Sequence, residues 1–557
     1  MRLLILLLLA APIAGQSDLR SFLETYQQDR GALLRRWDAE YSPTRRERLI
    51  RFYQETQTQL RALNFTTLDR EGQVDYVLLD HRLTYERSLL DLEARRAQDM
   101  ANLVPFAPAV FYLHEARRDL VPVEGRSAAD TLVAIVRRAD SARAALTAMD
   151  RARRPSRVTG LRAIEAIDGF RRLLREWYRF SEGYDPVFTW WTREPLGRAD
   201  SALMRYTQVL RRELVGQAQG EPEPIVGDPI GVEGMRADLA HEMIPYTPQE
   251  LLAIGEREYA WAEAEMIRAS RELGFGDDWR QAVEHVKTLH REPGGQTELS
   301  VALAREAEEW LLARDLVTIP PLAREVWRME MLSPERQRVA PFYLGGETIL
   351  VSFPTDGMTH EEKLMSMRGN NPHFSRAVVH HELIPGHHLQ GFMTNRYFPY
   401  RGMFSTPFWG EGWALYWEFR LYDLGFPRSA EDRVGMLFWR MHRAARIIFS
   451  LKFHLGEMTP QQAIDFLVDR VGHERANAEA EVRRSFNGTY PPLYQAGYML
   501  GGLQLRALHA DLVTTGRMTE RDFHDAILQG GRMPIAMVRA RLSNEPFDRS
   551  GPRAWRF

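Results

Sequence analysis

The sequence predicts a mainly α-helical protein with one small β-sheet or hairpin. Apolar residues recur at helical spacing through residues 17–220, in stretches rich in Arg, Glu, Leu and Ala with few internal Gly or Pro. The same periodicity resumes at about residue 373 and continues to the C-terminus. Between these regions, Ala340 to Phe353 is rich in aromatic and β-branched residues around two glycines, which is the strongest strand signal in the chain.

The composition gives no reason to expect a nucleic-acid partner. The 557 residues include 73 basic and 75 acidic side chains, for a formal net charge of -2. Binding to a polyanion is driven by clustered positive charge, and the arginines here lie along the whole chain rather than on one stripe. The oligomeric state is left open by the sequence.

The N-terminus has the pattern of a secretory signal peptide, which we assign to residues 1–15. Arg2 is followed by an apolar run from Leu3 to Ala11 and then by small residues. The run is too short to span a bilayer as a mature helix. The chain has no cysteine, so it forms no disulfide and carries no lipid on a cysteine. We expect an exported protein, periplasmic or secreted, without stable membrane insertion after cleavage; a short N-terminal anchor is the alternative.

Two regions follow the signal peptide. Residues 16–230 form an N-terminal helical region with little that looks catalytic, and it ends in a Pro- and Gly-rich break at residues 221–231. Residues 231–557 form the predicted catalytic region, although one continuous helical body is also compatible with the pattern. Within it, Thr247-Pro248-Gln249-Glu250 predicts a capping box that starts a helix running to about Leu273.

A histidine-rich segment at residues 378–388 supplies candidate zinc ligands. A catalytic zinc ion takes three ligands from His, Glu or Asp and keeps one position open. The segment contains His380, His381, Glu382, His387 and His388. In the common zinc-peptidase helix, His-Glu-x-x-His places two imidazoles one turn apart. That motif is absent, because residue 385 is proline, and in an ideal helix two residues six positions apart are separated by about 9 Å along the axis.

We therefore predict a break in the helix at Pro385–Gly386. Proline interrupts the backbone hydrogen bonds and glycine accepts angles closed to other residues, so a two-residue bulge returns His387 to the same ion as His381. Glu382 is then the general base. His388 is the reserve ligand or an outer partner of the site, and His380 faces away.

The third ligand is expected from a second helix. Glu411 and Glu418 are seven residues apart, on one helical face among aromatic residues where an unpaired charge is costly. We assign Glu411 as the ligand and Glu418 as the acceptor that orients a ligand histidine. The prediction is one zinc ion per chain.

These motifs resemble a known family. His-Glu-x-x-Pro-Gly-His-His followed by Glu-Gly-Trp-Ala-Leu-Tyr-x-Glu is similar to the bacterial domain-of-unknown-function 885 family, placed in the gluzincin-like (MA) peptidase clan. The resemblance covers most of the mature chain and extends to residues 245–248, 481–484 and 498–501. It implies a large helical gluzincin-like metallopeptidase body with the third ligand at Glu411. Ser485 stands where the family has an aromatic residue.

A hydrolytic function follows as an expectation. We expect zinc-dependent hydrolysis of peptide bonds in short or unfolded peptides, with Glu382 activating a zinc-bound water. Tyr498 is the predicted donor to the developing oxyanion, with Tyr494 the alternative. Cleavage at a chain end and cleavage inside the chain are both compatible with the sequence.

The peptide is expected to contact three side chains and a strand. Arg483 or Arg484 is predicted to hold a substrate carboxylate, since guanidinium matches carboxylate geometry. Tyr494 completes the predicted substrate-binding residues. The strand at residues 348–353 is expected to accept an extended peptide along its edge.

Other interpretations of the metal motif remain open. The same ligand types serve the two-histidine, one-carboxylate iron site of an oxygenase, although Glu382 beside a ligand favours hydrolysis. A non-catalytic metal-containing peptide-binding protein and a buried polar network without metal are further alternatives.

Several other features are interpreted as structural. His241 to Pro245 imitates the motif but lacks a following histidine, so we read it as a helix end. His442, His454 and His473 stand alone in helical stretches. The aromatic cluster at residues 188–191 is expected in the core.

Overall fold

A computed structural model describes residues 19–218, 220–221, 223–337, 340, 342–488 and 490–557. The predicted signal peptide lies outside the described residues. Within the described part of the chain, no helix is both long enough and apolar enough to cross a membrane.

The N-terminal region is helical, as predicted. Its helices are α1 (Arg20–Arg36), α2 (Pro43–Ala62), α3 (Arg70–Met100), α4 (Ala107–Arg118), α5 (Gly125–Ala148), α6 (Arg157–Ser181) and α7 (Pro186–Leu210).

The C-terminal region is also helical, which confirms the mainly α fold. Its elements are α8 (Gly231–His241), α9 (Pro248–Glu272), α10 (Trp279–Thr288), α11 (Gln296–Leu312), α12 (Pro321–Val326), β1 (Arg328–Met331), α13 (Pro334–Gln337), β2 (Thr348–Val351), α14 (His360–Gly369), α15 (Pro372–Glu382), α16 (His387–Thr394), α17 (Pro407–Asp423), α18 (Ala430–His454), α19 (Pro460–Phe466), α20 (Arg475–Phe486), α21 (Tyr494–His509), α22 (Glu520–Gln529) and α23 (Ile535–Ser543).

Local sequence explains where several of these helices begin. The predicted capping box is present at α9, where the Thr247 side chain accepts from the Glu250 amide and the Glu250 side chain accepts from the Thr247 amide. Helix α17 begins in the same way, with Thr406 accepting from the amide of Trp409 and proline at the first helical position.

The small sheet is present, but it is not a hairpin. Strand β2 pairs in parallel with β1, in a register that sets Arg328 opposite Thr348. On its other side, Leu350 makes an antiparallel bridge with Leu344. The expectation that β2 offers a free edge to a peptide is therefore wrong at Leu350, because both sides of the strand already have a partner.

Two hydrophobic cores hold the helices together. The larger core joins apolar residues of α1–α3 to the whole C-terminal region, and the smaller one lies among α4–α7 and the end of α3. Helix α3 contributes Leu90 to the first core and Met100 to the second. The domain boundary at residue 230 stays a prediction.

Glycines let α17 and α21, two helices that carry candidate site residues, approach closely. Helix α17 packs along α21. A Cβ atom on Gly412 would lie 2.6 Å from Cα of Gly501, and one on Gly501 would lie 2.1 Å from the carbonyl oxygen of Phe408. Because any side chain would separate the helices, these glycines place Glu411 of α17 beside the tyrosines of α21.

Candidate metal centre

The helix carrying the first histidines stops where the sequence predicts a break. Helix α15 ends at Glu382 and α16 begins at His387, and the intervening Ile384–Pro385 peptide bond is cis. Four residues, 383–386, therefore separate the two helices where the sequence predicts the break.

Specific contacts fix this turn. The Gly386 amide donates to the carbonyl oxygen of His380 at 3.0 Å, and the indole of Trp413 donates to the carbonyl oxygen of Pro385 at 2.8 Å. A Cβ atom on Gly386 would lie 1.8 Å from the carbonyl oxygen of His381. Only glycine fits at this position.

The turn brings the three predicted ligands together. Nε2 of His387 lies 3.0 Å from Oε2 of Glu411, and Nε2 of His381 lies 3.4 Å from the same oxygen. One ligand atom from each residue lies within 4.8 Å of the others. Within the described residues, these three side chains form the one group of His, Cys, Asp or Glu found close enough to hold an ion.

The two separations from Glu411 are compatible with a zinc ion. Zinc bonds to nitrogen and oxygen are about 2.0–2.2 Å long, so ligands around a tetrahedral ion are roughly 3.3 Å apart. The two separations from Oε2 of Glu411 fall on either side of this value. The 3.0 Å separation is also a hydrogen-bond length, and metal content is the measurement that separates a metal centre from a polar network.

The cluster is buried except at one histidine. His381 and Glu411 are buried, whereas 22 % of the His387 side chain is exposed, which marks the open side. Burial alone would raise the pKa of Glu411, but His387 and His381 hold it well below its ordinary value. Burial would lower the pKa of His387, and the Glu411 carboxylate instead raises it to about 9.

Outer contacts orient two of the three side chains. Nδ1 of His381 donates to Oε1 of Glu418 at 2.7 Å, as predicted for Glu418, which leaves Nε2 directed at Glu411. The Tyr494 hydroxyl donates to Oε1 of Glu411, which leaves Oε2 directed at the two imidazoles. Tyr494 was predicted to contact substrate or an oxyanion; the structure places its hydroxyl on the carboxylate instead.

Glu382 lies against a glycine-containing loop segment that precedes β2. The Gly346 amide lies 3.3 Å from the Glu382 carbonyl oxygen, and a Cβ atom on Gly345 would be 2.2 Å from Oε2 of Glu382. Burial raises the pKa of the Glu382 carboxyl. The segment that borders the candidate base is therefore residues 344–346, next to β2, rather than β2 itself.

Tyr498 lies beside the cluster. Its ring centroid is 6.0 Å from that of His381 and 5.7 Å from that of Tyr494. The guanidinium groups of Arg443 and Arg446 lie 4.6 and 4.3 Å from its centroid, and burial raises the pKa of its hydroxyl.

Arg443 was missed in the sequence. Besides contacting the Tyr498 ring, it donates to Oε1 of Glu418 at 3.4 Å. It stands in an ordinary helical run, so no local signal distinguishes it from the many other arginines. Trp413, which fixes the turn, is one of several aromatic residues in its segment, and the sequence gives no signal that sets it apart.

Two predicted site residues lie elsewhere. Nε2 of His388 contacts the carbonyl oxygen of Ala323 at 2.7 Å, so His387 and not His388 joins the cluster, and His388 contacts none of the three candidate ligands. Arg483 donates to the carbonyl oxygen of Glu223 at 2.8 Å and pairs with Glu479, so its side chain is held away from the cluster.

Arg484 stays close to the tyrosines. It is buried, its guanidinium lies 4.9 Å from the ring centroid of Tyr490, and it pairs with Glu481 at 3.6 Å. The Tyr490 ring centroid in turn lies 4.1 Å from that of Tyr494. Of the two arginines, Arg484 is the one on the side of the cluster.

Four further histidines are buried or stack on an aromatic ring: His241, His442, His454 and His473. Nε2 of His473 lies 2.9 Å from Nδ1 of His442, both are buried, and burial lowers the pKa of each imidazole, to about 3 for His473. His454 is buried as well, which lowers its pKa to about 4. His241 stacks on Tyr85 at 3.9 Å, consistent with the helix-end interpretation.

The aromatic cluster at residues 188–191 is only partly in the core. Phe188 is buried, but Trp190 is 74 % exposed. The prediction that this cluster lies in the core is wrong for Trp190, because successive residues at the start of α7 point to different sides of the helix.

The fold and the cluster together define a mainly α-helical protein with a two-histidine, one-glutamate cluster at a break between two helices. The chain belongs to the family described as "Bacterial protein of unknown function (DUF885)", whose family model matches residues 25–542.

Two solved structures share the fold. One is a "putative lipoprotein of unknown function" from Shewanella oneidensis, with a TM-score of 0.69 and 18 % identity, covering 94 % of this chain and 99 % of that one. The other is a "putative lipoprotein" from Colwellia psychrerythraea, with a TM-score of 0.56 and 17 % identity, covering 95 % and 99 %. No curated protein matches the sequence.

Proposed function

We propose that this protein is a zinc-dependent peptidase of the gluzincin type. The observation that carries the proposal is the convergence of His381, His387 and Glu411 across a break that directly follows Glu382. A buried polar network needs no carboxylate next to its first histidine, whereas a hydrolytic site needs a base there.

The residues of the cluster have distinct roles in this proposal. His381, His387 and Glu411 hold the ion; when bound, zinc supplies Lewis acidity toward a water molecule and a peptide carbonyl. Glu382 takes a proton from the attacking water and returns it to the leaving amine. Burial suits it to this task, since a raised pKa brings a carboxylate closer to the basicity that proton transfer at neutral pH requires.

Tyr498 is the proposed donor to the oxygen that becomes negative. Its ring lies next to His381, while the hydroxyl of Tyr494 already bonds to Glu411. Burial raises the pKa of Tyr498, so the hydroxyl keeps its proton for donation.

The proposed substrates are short or unfolded peptides. The exposed side of His387 is the approach to the cluster, and helices surround the rest of it. Arg484 is the residue proposed to hold a substrate carboxylate, because its guanidinium lies among the tyrosines next to Glu411.

We further propose that the protein is exported to the periplasm or secreted. The pattern of residues 1–15 and the absence of cysteine support export. The two similar structures described as putative lipoproteins are compatible with this location.

Replacing the candidate base tests the proposal. Glu382→Gln should keep zinc but lose hydrolysis of a peptide library, read by mass spectrometry, because glutamine cannot accept the proton. Glu361→Gln, an exposed glutamate of α14, is the matched control and should leave both unchanged. Undiminished hydrolysis in Glu382→Gln refutes the assignment, and iron in place of zinc would favour an oxygenase site.

A further inference from the structure

The most exposed apolar side chains among the described residues lie in one part of the N-terminal region. Among the described residues, every large apolar side chain with more than half of its surface exposed lies between Tyr112 and Trp190. Six of them form what we call the apolar tip: Leu120 (78 %), Val121 (56 %), Phe180 (58 %), Tyr184 (89 %), Val187 (63 %) and Trp190 (74 %).

The tip is built from two neighbouring turns of the chain. Leu120 and Val121 follow the end of α4, whereas the other four lie at the end of α6 and the start of α7. A cleft of about 340 Å³ is lined by residues of both turns, including Val121 and Phe180. The guanidinium of Arg117 lies 5.1 Å from the Phe180 ring centroid. The two turns therefore lie side by side across this cleft.

The tip serves neither the core nor the metal centre. The smaller core already has its own buried aromatic residues, such as Phe188 and Trp177, directly beneath the tip. None of the six side chains contacts His381, His387 or Glu411. Strongly exposed apolar side chains grouped in this way are typical of an interaction site.

The chemistry of the tip matches a lipid interface. Tyrosine and tryptophan combine an apolar ring with a polar atom and are enriched where hydrocarbon meets headgroups, and the aliphatic members suit the region just beneath. Residues 115–126 and 179–193 contain five arginines and five acidic residues, so the tip has no net charge. It is therefore not complementary to an oppositely charged protein surface or to strongly anionic lipid.

The adaptability of a bilayer suits the same surface. Headgroups and acyl chains rearrange around an inserted side chain, and arginine stems can lie along the surface with their charged ends in water.

We propose that the apolar tip docks this protein reversibly on the surface of a phospholipid bilayer with zwitterionic headgroups. The docking is peripheral: the side chains enter the interface while the helices remain outside it, in agreement with the absence of a membrane-crossing helix among the described residues. It would hold the candidate peptidase at a membrane without a covalent lipid.

Vesicle sedimentation of the full-length mature chain tests the proposal. The wild type should sediment with vesicles of phosphatidylcholine and phosphatidylethanolamine, and raising the salt concentration should change this little, because apolar burial drives it. The variant Phe180→Ser/Val187→Ser/Trp190→Ser should partition at least ~10-fold less. The matched control Leu89→Ser/Leu312→Ser/Leu322→Ser, at apolar residues exposed by 38–49 %, should bind as the wild type does.

Distinct outcomes would overturn the proposal. Wild-type protein that stays in solution with these vesicles contradicts it directly. Equal loss of binding in both variants shows that the tip is not the contact. Self-association of the wild type without vesicles, abolished by the tip variant, identifies a second copy as the occupant. Because the variants are on the surface, their zinc content and circular dichroism should equal those of the wild type, which separates this test from that of the metal centre.

Discussion

Replacing Gly386 by alanine tests whether the break between α15 and α16 builds the metal centre. An alanine Cβ at this position would lie 1.8 Å from the His381 carbonyl oxygen, and real Cβ contacts stay at 3.0 Å or more. Residues 381 and 386 would then have to separate by more than about 1 Å, and His387, the next residue, would move with Gly386.

The magnitude follows from the tolerance of metal ligation. Ligand distances in zinc sites vary by only about 0.2 Å, and a displacement of about 1 Å at a positioned group costs on the order of 100-fold in function. We therefore expect Gly386→Ala to weaken zinc affinity by at least about 100-fold, equivalent to about 2.7 kcal/mol. Overpacking of the buried turn adds a loss of folding stability of about 1–3 kcal/mol.

Zinc affinity is measured by competition with a chromophoric chelator, and folding stability by urea denaturation. Gly391→Ala is the matched control: it lies in α16, and an added Cβ meets nothing within 4 Å. Alanine there should keep zinc affinity and leave stability equal or slightly higher, since it favours the helix. If Gly386→Ala binds zinc as tightly as Gly391→Ala does, the kinked backbone is not what assembles the ligands.

Three further predictions concern single hydroxyl or carboxyl groups. Tyr494→Phe removes the donor to Glu411, so zinc affinity should fall about 10–100-fold in the chelator assay. Tyr498→Phe should keep zinc affinity but lower kcat for peptide hydrolysis by about 100-fold or more, because the oxyanion loses its donor. Burial raises the pKa of Glu242 to about 8, from 4.5. The stability that this neutral carboxyl contributes is therefore complete below about pH 4.5 and is lost as the pH rises toward 8. Glu242→Gln, neutral at every pH, should gain up to about 5 kcal/mol relative to wild type between pH 4.5 and 8, measured by urea denaturation.

Opposite results would contradict each assignment. Unchanged zinc affinity in Tyr494→Phe means that its hydroxyl does not position Glu411. Unchanged kcat in Tyr498→Phe removes it from the proposed mechanism. A stability difference between Glu242→Gln and wild type that is constant with pH means that Glu242 ionises normally in the folded protein.

The convergence of His381, His387 and Glu411 could be predicted from the sequence because its determinants are local. Proline followed by glycine inside a helical pattern indicates a break in the helix. The Glu411 segment is recognisable because it places carboxylates among aromatic residues, where an unpaired charge is costly. The direction of neighbouring side chains was less predictable. Arg483 and Arg484 are one residue apart, yet helical geometry turns them to different neighbours, and pattern alone does not show which one faces the tyrosines.

Tertiary contacts explain the remaining differences between the predicted and the observed structure. Strand β1 consists of four residues with little alternation, so only its contact with β2 reveals it. Tyr494 and Tyr498 lie one turn apart on the same face of α21, and the close approach of α17 selects Tyr494 to bond to Glu411. The exposure of Trp190 could not be predicted from composition, because composition does not distinguish a buried aromatic residue from an exposed neighbour.

Metal analysis of three proteins tests the central claim most directly. After dialysis against trace zinc, wild type and His388→Gln should each retain about one zinc ion per chain, whereas His387→Ala should retain almost none. That pattern requires His387, and not its neighbour, to hold the ion. A folded wild-type protein without zinc, or a His387→Ala variant that binds zinc as the wild type does, would contradict the account.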